Sequence, residues 1–302
     1  MTFVENLTTA GWFFIQIALE LTILFIVITF IVGMIQEYLP AERIKKSLEG
    51  RSKVAGSMLG AGFGALTPFC SCSTIPLLLG MLEVGIPFGI CMSFLIASPI
   101  LNPIIVSLFA VLLGWKITAI YVILTFIAAV VLGMIFKRLG FEDQIKSVAV
   151  VGGGGDLQVD MDVKSRINRS AGFAWTLFKQ LIPYLLIGAG IGAFIHGFVP
   201  EGFFAGFAGA DNPFVVPIAA VIGVPMYIRA ETLIPIGFAL IEKGLSIGAV
   251  MALVIGGAGA SIPEVALLSA MFKKKLLAVY IITIFGIAVV VGYVFNLLVT
   301  ML

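Results

Sequence analysis

The chain has 302 residues, 61% of them hydrophobic and 11% charged, with a formal net charge of +2, whereas soluble domains carry about 25% charged residues. That balance excludes a soluble globular domain, and so small a positive charge excludes nucleic acid as a partner. Three cysteines define no disulfide framework.

Residues 1–11 hold Glu5 and no Lys or Arg, so no cleavable leader is expected. Apolar runs of about 18 residues or more predict spanning helices, because lipid forces each backbone group to be satisfied within its own helix. Six runs qualify: 12–36, 87–113, 117–136, 172–198, 247–272 and 276–300. Two more, 54–83 and 214–241, are apolar but interrupted, giving about eight hydrophobic segments in all. The fold class expected is an all-α polytopic membrane protein.

The chain also repeats itself. At a shift of 159 residues "WKITAIYVILTFIAAVVLGMIF" (115–136) overlies "KKLLAVYIITIFGIAVVVGYVF" (274–295), matching Lys116 with Lys275, Tyr121 with Tyr280 and Gly133 with Gly292. The same shift pairs Pro76 with Pro235, Gly85 with Gly244 and Gly89 with Gly248. Two homologous halves are expected, 1–137 and 172–302, within one transmembrane domain. The connector 138–171 is polar and holds "GGGG" at 152–155. No phosphate-binding GxxxxGK[ST] pattern follows those glycines, so they predict a flexible linker.

Charge distribution selects between two arrangements of the halves. If 54–83 and 214–241 cross the bilayer, the halves are parallel and the basic loop 37–53 and the connector fall on opposite sides. If both dip in and return as re-entrant hairpins, the halves are inverted. Both basic stretches and Lys273, Lys274 and Lys275 then lie in the cytoplasm, with Lys116 and Lys243 outside. The inverted repeat obeys the positive-inside rule better and is the expected topology, with the connector cytoplasmic.

The interrupted segments carry the chemistry. The first break, "TPFCSCSTIP" (67–76), presents Cys70, Ser71, Cys72, Ser73 and Thr74; its counterpart "GVPMYIRAETLIP" (223–235) presents Tyr227, Arg229, Glu231 and Thr232. Ser73 and Thr74 suit helix N-caps and Pro76 a first helical turn. Paired interruptions in two halves point to a transporter's solute site. Cys70 and Cys72 admit two readings, small buried residues or soft ligands for a thiophilic centre; two thiols flanking a serine between prolines favour the second. Cys91 takes the first reading.

Arg229 and Glu231 are ionisable groups at membrane depth, which are rare and usually functional, the alternative being a structural ion pair. Two further breaks, "ASPILNP" (97–103) and "GGAGASIPE" (256–264), supply Ser98 and Asn102 as neutral polar ligands and Glu264 as a proton carrier. Glu264 also suits a helix N-terminus beside Pro263. Glu20, one turn after Gln16, fits interhelical hydrogen bonding or proton handling, and His196 fits a membrane interface.

With these motifs in view, the chain resembles the ArsP-type predicted permease family, whose signature is similar to "TPFCSCSTIP" followed by "ASPILNP". The resemblance covers almost the whole chain, including "GVPMYIRAETLIP". It implies a polytopic permease, some members of which export trivalent organoarsenicals such as methylarsenite, and Cys70 and Cys72 match the motif that suits such solutes. The function expected is therefore a secondary permease of the cytoplasmic (inner) membrane moving a small thiophilic solute, most plausibly an organoarsenical outward. Its site would comprise Cys70, Ser71, Cys72, Ser73, Ser98, Asn102, Arg229 and Glu231, with Glu231 and Glu264 coupling protons. Export or uptake of another sulfur-containing or soft-metal solute is the nearest alternative, an intramembrane thiol redox protein or a channel or scaffold the more distant ones. The partners expected are the bilayer and the solute, with self-association left open; neither a cofactor nor a bound metal is expected.

Overall fold

In the computed structural model, residues 3–38, 53–67, 71–83, 85–146, 163–198, 214–224, 230–242 and 244–299 are described. They form an all-α polytopic membrane protein. Four helices are long and apolar enough to cross a membrane, α1 (Phe3–Tyr38), α6 (Trp115–Arg138), α7 (Val163–Phe198) and α12 (Lys274–Val299). Two bent pairs bring the number of spans to six if each pair is one span. The first pair is α4 (Phe88–Ile100) with α5 (Pro103–Leu112), the second α10 (Ile247–Gly259) with α11 (Ile262–Met271), bent by 40° and 41°. The interrupted segments become α2 (Lys53–Leu66) with α3 (Ser71–Glu83), and α8 (Val215–Gly223) with α9 (Ala230–Glu242).

Element bounds recur along the chain. α3, α4, α5 and the start of α6 reappear 159 residues later as α9, α10, α11 and the start of α12. The turns before α4 and α10 both rest on a glycine at positive φ, Gly85 at 78° and Gly244 at 99°, a conformation that a Cβ disfavours.

Small residues let the helices approach closely, the usual basis of packing in lipid, where no hydrophobic force draws one helix to another. A Cβ on Gly133 of α6 would lie 2.7 Å from the Gly89 carbonyl oxygen of α4, and a Cβ on Gly292 of α12 would lie 2.7 Å from the Gly248 carbonyl oxygen of α10. Likewise a Cβ on Gly64 of α2 would lie 3.0 Å from the Ser98 nitrogen, and one on Gly223 of α8 would lie 2.8 Å from the Gly257 nitrogen. Equivalent glycines thus make equivalent approaches in the two halves.

The bounds of α1 recur 160 residues later as those of α7, and two pairs of equivalent helices, α1 with α7 and α6 with α12, run antiparallel. On α1, Phe14 is the neighbour of Gly190, Phe25 of Phe178, and Gly33 of Phe173 and Ser170, so ascending numbers on α1 meet descending numbers on α7. The end of α6 lies at the beginning of α12, against which α6 packs. Phe141, just past α6, packs at a tilt beside Phe136 at 6.0 Å between centroids, and its ring centroid is 5.9 Å from Lys275 Nζ in the first turn of α12. A short 3-10 turn (Phe141–Gln144) and the lone bridge from Ile145 to Phe272 fasten this junction. The Lys146 amide donates to the Met271 carbonyl at 2.7 Å and the Lys273 amide to the Gln144 carbonyl at 2.8 Å. Across the halves, α3 packs on α11 and, correspondingly, α9 packs on α5.

Candidate functional site

Cys70, Tyr227 and Arg229 lie outside the described residues, as does the connector from 147 to 162. Ser71, Cys72 and Ser73 form the first turn of α3, and Glu231 and Thr232 the first turn of α9, with their side chains outside the description; the same holds for the His196 side chain on α7.

Between α2 and α3 the described residues form a hydroxyl cluster. Thr67, just past the end of α2, donates its Oγ1 proton to the Gly64 carbonyl at 2.7 Å. Ser98 Oγ on α4 is 3.3 Å from Thr67 Oγ1 and 3.0 Å from Thr74 Oγ1 on α3. All three hydroxyls are buried. Buried hydroxyls in an apolar setting are costly unless bonded, so the cluster ties the two sides of the first break to α4. This changes one expectation from sequence. Helix α3 starts at Ser71, so Thr74 and Pro76 lie inside it and neither caps it nor opens its first turn. The reason is tertiary: the Thr74 hydroxyl is held by Ser98 on another helix. Ser98, expected as a solute ligand, is committed to the same cluster.

Asn102 sits at the bend between α4 and α5, where its Oδ1 accepts from the Ile104 amide at 2.9 Å. It is the N-cap of α5 ahead of Pro103, the arrangement that an interrupted helix needs to restart. Its second-half equivalent, Ser261, flanks α11 without a side-chain cap bond.

Glu264 occupies the first turn of α11 and is wholly buried. The Tyr280 hydroxyl on α12 lies 3.2 Å from Glu264 Oε1 and 3.0 Å from the carbonyl oxygen of Gly259, the last residue of α10. Ionisable groups within apolar membrane segments are rare and usually functional, which keeps Glu264 a candidate site residue. Tyr280 and its equivalent Tyr121 stood out in the sequence only as matched positions of the repeat. A tyrosine inside an apolar span nevertheless has a hydroxyl that must find an acceptor, and that signal marks both.

The two bends meet. A Cβ on Gly259 would lie 3.5 Å from Ile100 Cδ1, and these are the equivalent last residues of α10 and α4. Cys91 is buried on α4, its Sγ donating to the Ile86 carbonyl at 3.6 Å, in keeping with a small packing residue. Glu20 and Gln16 are on the exposed side of α1.

Comparison with known proteins fits this architecture. The chain is 25% identical to UPF0718 protein MJ0584 of Methanocaldococcus jannaschii, over 76% of this chain and 79% of that one. It is 23% identical to UPF0718 protein YcgR of Bacillus subtilis, over 90% of this chain and 92% of the relative. A shorter match, 28% identical and covering 39% of each chain, is to a protein of Streptococcus mutans named a putative two-component membrane permease complex subunit. No solved structure matches. The model of the ArsP_1 family, described as a predicted permease, matches residues 6–297. The chain is a multi-pass membrane protein that belongs to this ArsP-type family of predicted permeases.

Proposed function

We propose that the chain is a secondary permease of the cytoplasmic membrane, built as an inverted repeat, that exports a small thiophilic solute, with trivalent organoarsenicals foremost. The observation that carries the reading is the meeting of the two bends, at Ile100 and Gly259, between halves whose equivalent helices run antiparallel. A residue in contact with its own equivalent lies beside a pseudo-two-fold axis. When the related helices run in opposite directions through a bilayer, that axis lies in the membrane plane and the bends sit near the midplane. Interrupted helices around such an axis are the usual setting of a transporter's solute site.

The chemistry follows from residue types. Cys70 and Cys72 at the first break offer soft ligation to a trivalent arsenic centre. Ser71 and Ser73 add neutral donors, and the sequence of the second break supplies Arg229 and Glu231 as its charged groups. Ser98 acts through the hydroxyl cluster that joins Thr67 and Thr74, on either side of the thiol-bearing break, to α4, and Asn102 through the α5 cap. Glu264, buried in the first turn of α11 beside the Tyr280 hydroxyl, carries the coupling proton, with Glu231 as a second carrier. Rocking of one half against the other alternates access.

The test of the solute is accumulation of methylarsenite in proteoliposomes of inside-out orientation, driven by a proton gradient. The Cys70→Ser/Cys72→Ser protein should fall to the level of empty vesicles while keeping its elution profile and unfolding temperature. Undiminished accumulation by that variant removes thiol ligation from the mechanism.

The topology is tested by the equivalent, exposed lysines Lys116 and Lys275. In a background with all three native cysteines replaced by serine, an impermeant maleimide should label Lys116→Cys in intact cells. Lys275→Cys should react only in inside-out vesicles, because the basic residues gathered at the junction of α6 and α12 mark the cytoplasmic side. Labelling of both from one side sinks the inverted arrangement.

A further inference from the structure

We propose that Tyr280 couples the protonation of Glu264 to the shape of the bend between α10 and α11, and that Tyr121 is its uncoupled twin. The inference deepens the reading of Glu264 as the proton carrier and rests on it.

Interrupted helices leave carbonyl groups without intrahelical partners at their C-terminal ends. In the first half, the Tyr121 hydroxyl of α6 donates to one of these, the carbonyl of Ile100, at 2.9 Å. In the second half, Tyr280 of α12 stands 3.0 Å from the equivalent carbonyl of Gly259. Both phenols are fully buried, so each ties a spanning helix to the end of a broken one. Around these matched bonds one difference adds an acceptor. Where the first half has the apolar Ile105, the second has Glu264, whose Oε1 lies 3.2 Å from the same Tyr280 hydroxyl.

A phenol has one proton and Tyr280 has two acceptors. With Glu264 ionised, the charge-assisted bond is the stronger, so the proton turns to the carboxylate and the Gly259 carbonyl loses its tie. With Glu264 protonated, the carboxyl can itself donate to the phenol oxygen, and Tyr280 returns its proton to Gly259. The change is delivered at Gly259, where a Cβ would lie 3.5 Å from Ile100 Cδ1 of the first half. Tyr121 has no counterpart carboxyl and holds Ile100 at any pH. Tyr280 is thus a positioning residue, acting on the bend through Glu264 and on no solute atom.

The elements packed on α11 bring other ionisable groups: Cys72 and Glu83 on α3; Lys164, Arg166, Arg169, Lys179, Tyr184 and His196 on α7; Lys274, Lys275 and Tyr293 with Tyr280 on α12. At its far end, α11 also holds Lys146, whose Nζ donates to the Ser269 carbonyl at 2.6 Å. All of these remain in a Tyr→Phe variant at either position, so the difference between the two variants isolates the phenol beside Glu264.

The experiment is an infrared pH titration of the full chain in lipid vesicles without solute, following the protonated-carboxyl band that disappears in Glu264→Gln. Tyr280→Phe removes a donor to the ionised form and should move the midpoint of that band by about one to two pH units. Tyr121→Phe should leave the midpoint where the wild type has it. An unmoved midpoint in Tyr280→Phe, an equal displacement in Tyr121→Phe, or a Glu264 band that does not titrate overturns the proposal.

A second readout covers a Tyr280→Phe protein that does not fold. Maleimide reactivity of Ala260→Cys at the bend, in the cysteine-free background and divided by that of Lys116→Cys at the same pH to remove the thiolate's own pH dependence, should rise as Glu264 ionises and become flat when Glu264→Gln is added. A ratio that still changes with pH in that double variant also overturns it. Because neither readout needs a solute, failure to carry methylarsenite would refute the export reading and leave this test intact.

Discussion

Replacing Gly64 with alanine should lower the unfolding midpoint of the detergent-solubilised protein, while the same change at Gly62, two residues earlier on the same helix, should raise it. A Cβ at Gly64 would lie 2.8 Å from the Phe94 carbonyl oxygen, 3.0 Å from the Ser98 nitrogen and 3.1 Å from the Ala97 Cβ. These neighbours are backbone and the root of a side chain on α4, so no rotamer change relieves the contact, and the helices must part. Overpacking of this kind costs about 1–3 kcal/mol. At Gly62 a Cβ would meet nothing within 4 Å, leaving only the gain of about 0.5–1 kcal/mol from replacing glycine inside a helix.

The Gly64 effect reaches the site, because parting α2 from α4 pulls Thr67 away from Ser98 and frees the end of the first break. Gly64→Leu should therefore yield no folded protein, whereas Gly64→Ala should fold and carry less solute. Unfolding midpoints by fluorescence-detected size exclusion after heating, read for Gly62→Ala and Gly64→Ala side by side, check the sign of both. Equal midpoints for the two variants would show that the α2–α4 approach is not tight in the membrane protein as it folds.

The contrast between these glycines also marks how far sequence alone reaches. The six apolar runs and both bends are legible in it, because a bilayer punishes unsatisfied backbone and the breaks fall at "ASPILNP" and "GGAGASIPE", where proline and clustered glycine interrupt the hydrogen-bond ladder. The 159-residue spacing of matched glycines is legible too, and Gly89 and Gly248 make equivalent close approaches. Gly62 and Gly64, by contrast, look alike in the sequence; only the position of α4 separates them.

At the breaks, Asn102 and Glu264 stand out in the sequence by residue type alone, while the cap that Asn102 makes and the phenol beside Glu264 do not. The hydroxyl partners of Ser98, Thr67 and Thr74, cannot be read from sequence because they are 31 and 24 residues away, and Thr74 looks like a cap until its hydroxyl is seen to be engaged elsewhere. Tyr280 escapes for a related reason. In the sequence it is one aromatic among many in an apolar span, and its distinction from Tyr121 depends on what residue 264 brings to it.

Glu264→Gln should abolish proton-driven accumulation of methylarsenite, by 100-fold or more, while leaving solute exchange across the membrane nearly intact. Glutamine keeps the volume and an acceptor for the Tyr280 hydroxyl, which stands 3.2 Å from Oε1 in the native protein, but it cannot take up or release a proton. A carrier whose coupling site no longer titrates can still bind solute and alternate, so counterflow of labelled against unlabelled methylarsenite at equal pH should persist. Net uphill movement, which requires one proton event per cycle, should not. Glu264→Leu should do more harm, because the apolar side chain leaves Tyr280 only the Gly259 carbonyl, as Tyr121 has only Ile100. Its bend would be locked in one shape, and exchange should fall with accumulation. The two variants thus separate the proton from the movement it controls: loss of accumulation with retained exchange in Glu264→Gln assigns coupling to the carboxyl, whereas full proton-driven accumulation in that variant moves the coupling role elsewhere, with Glu231 the next residue to replace.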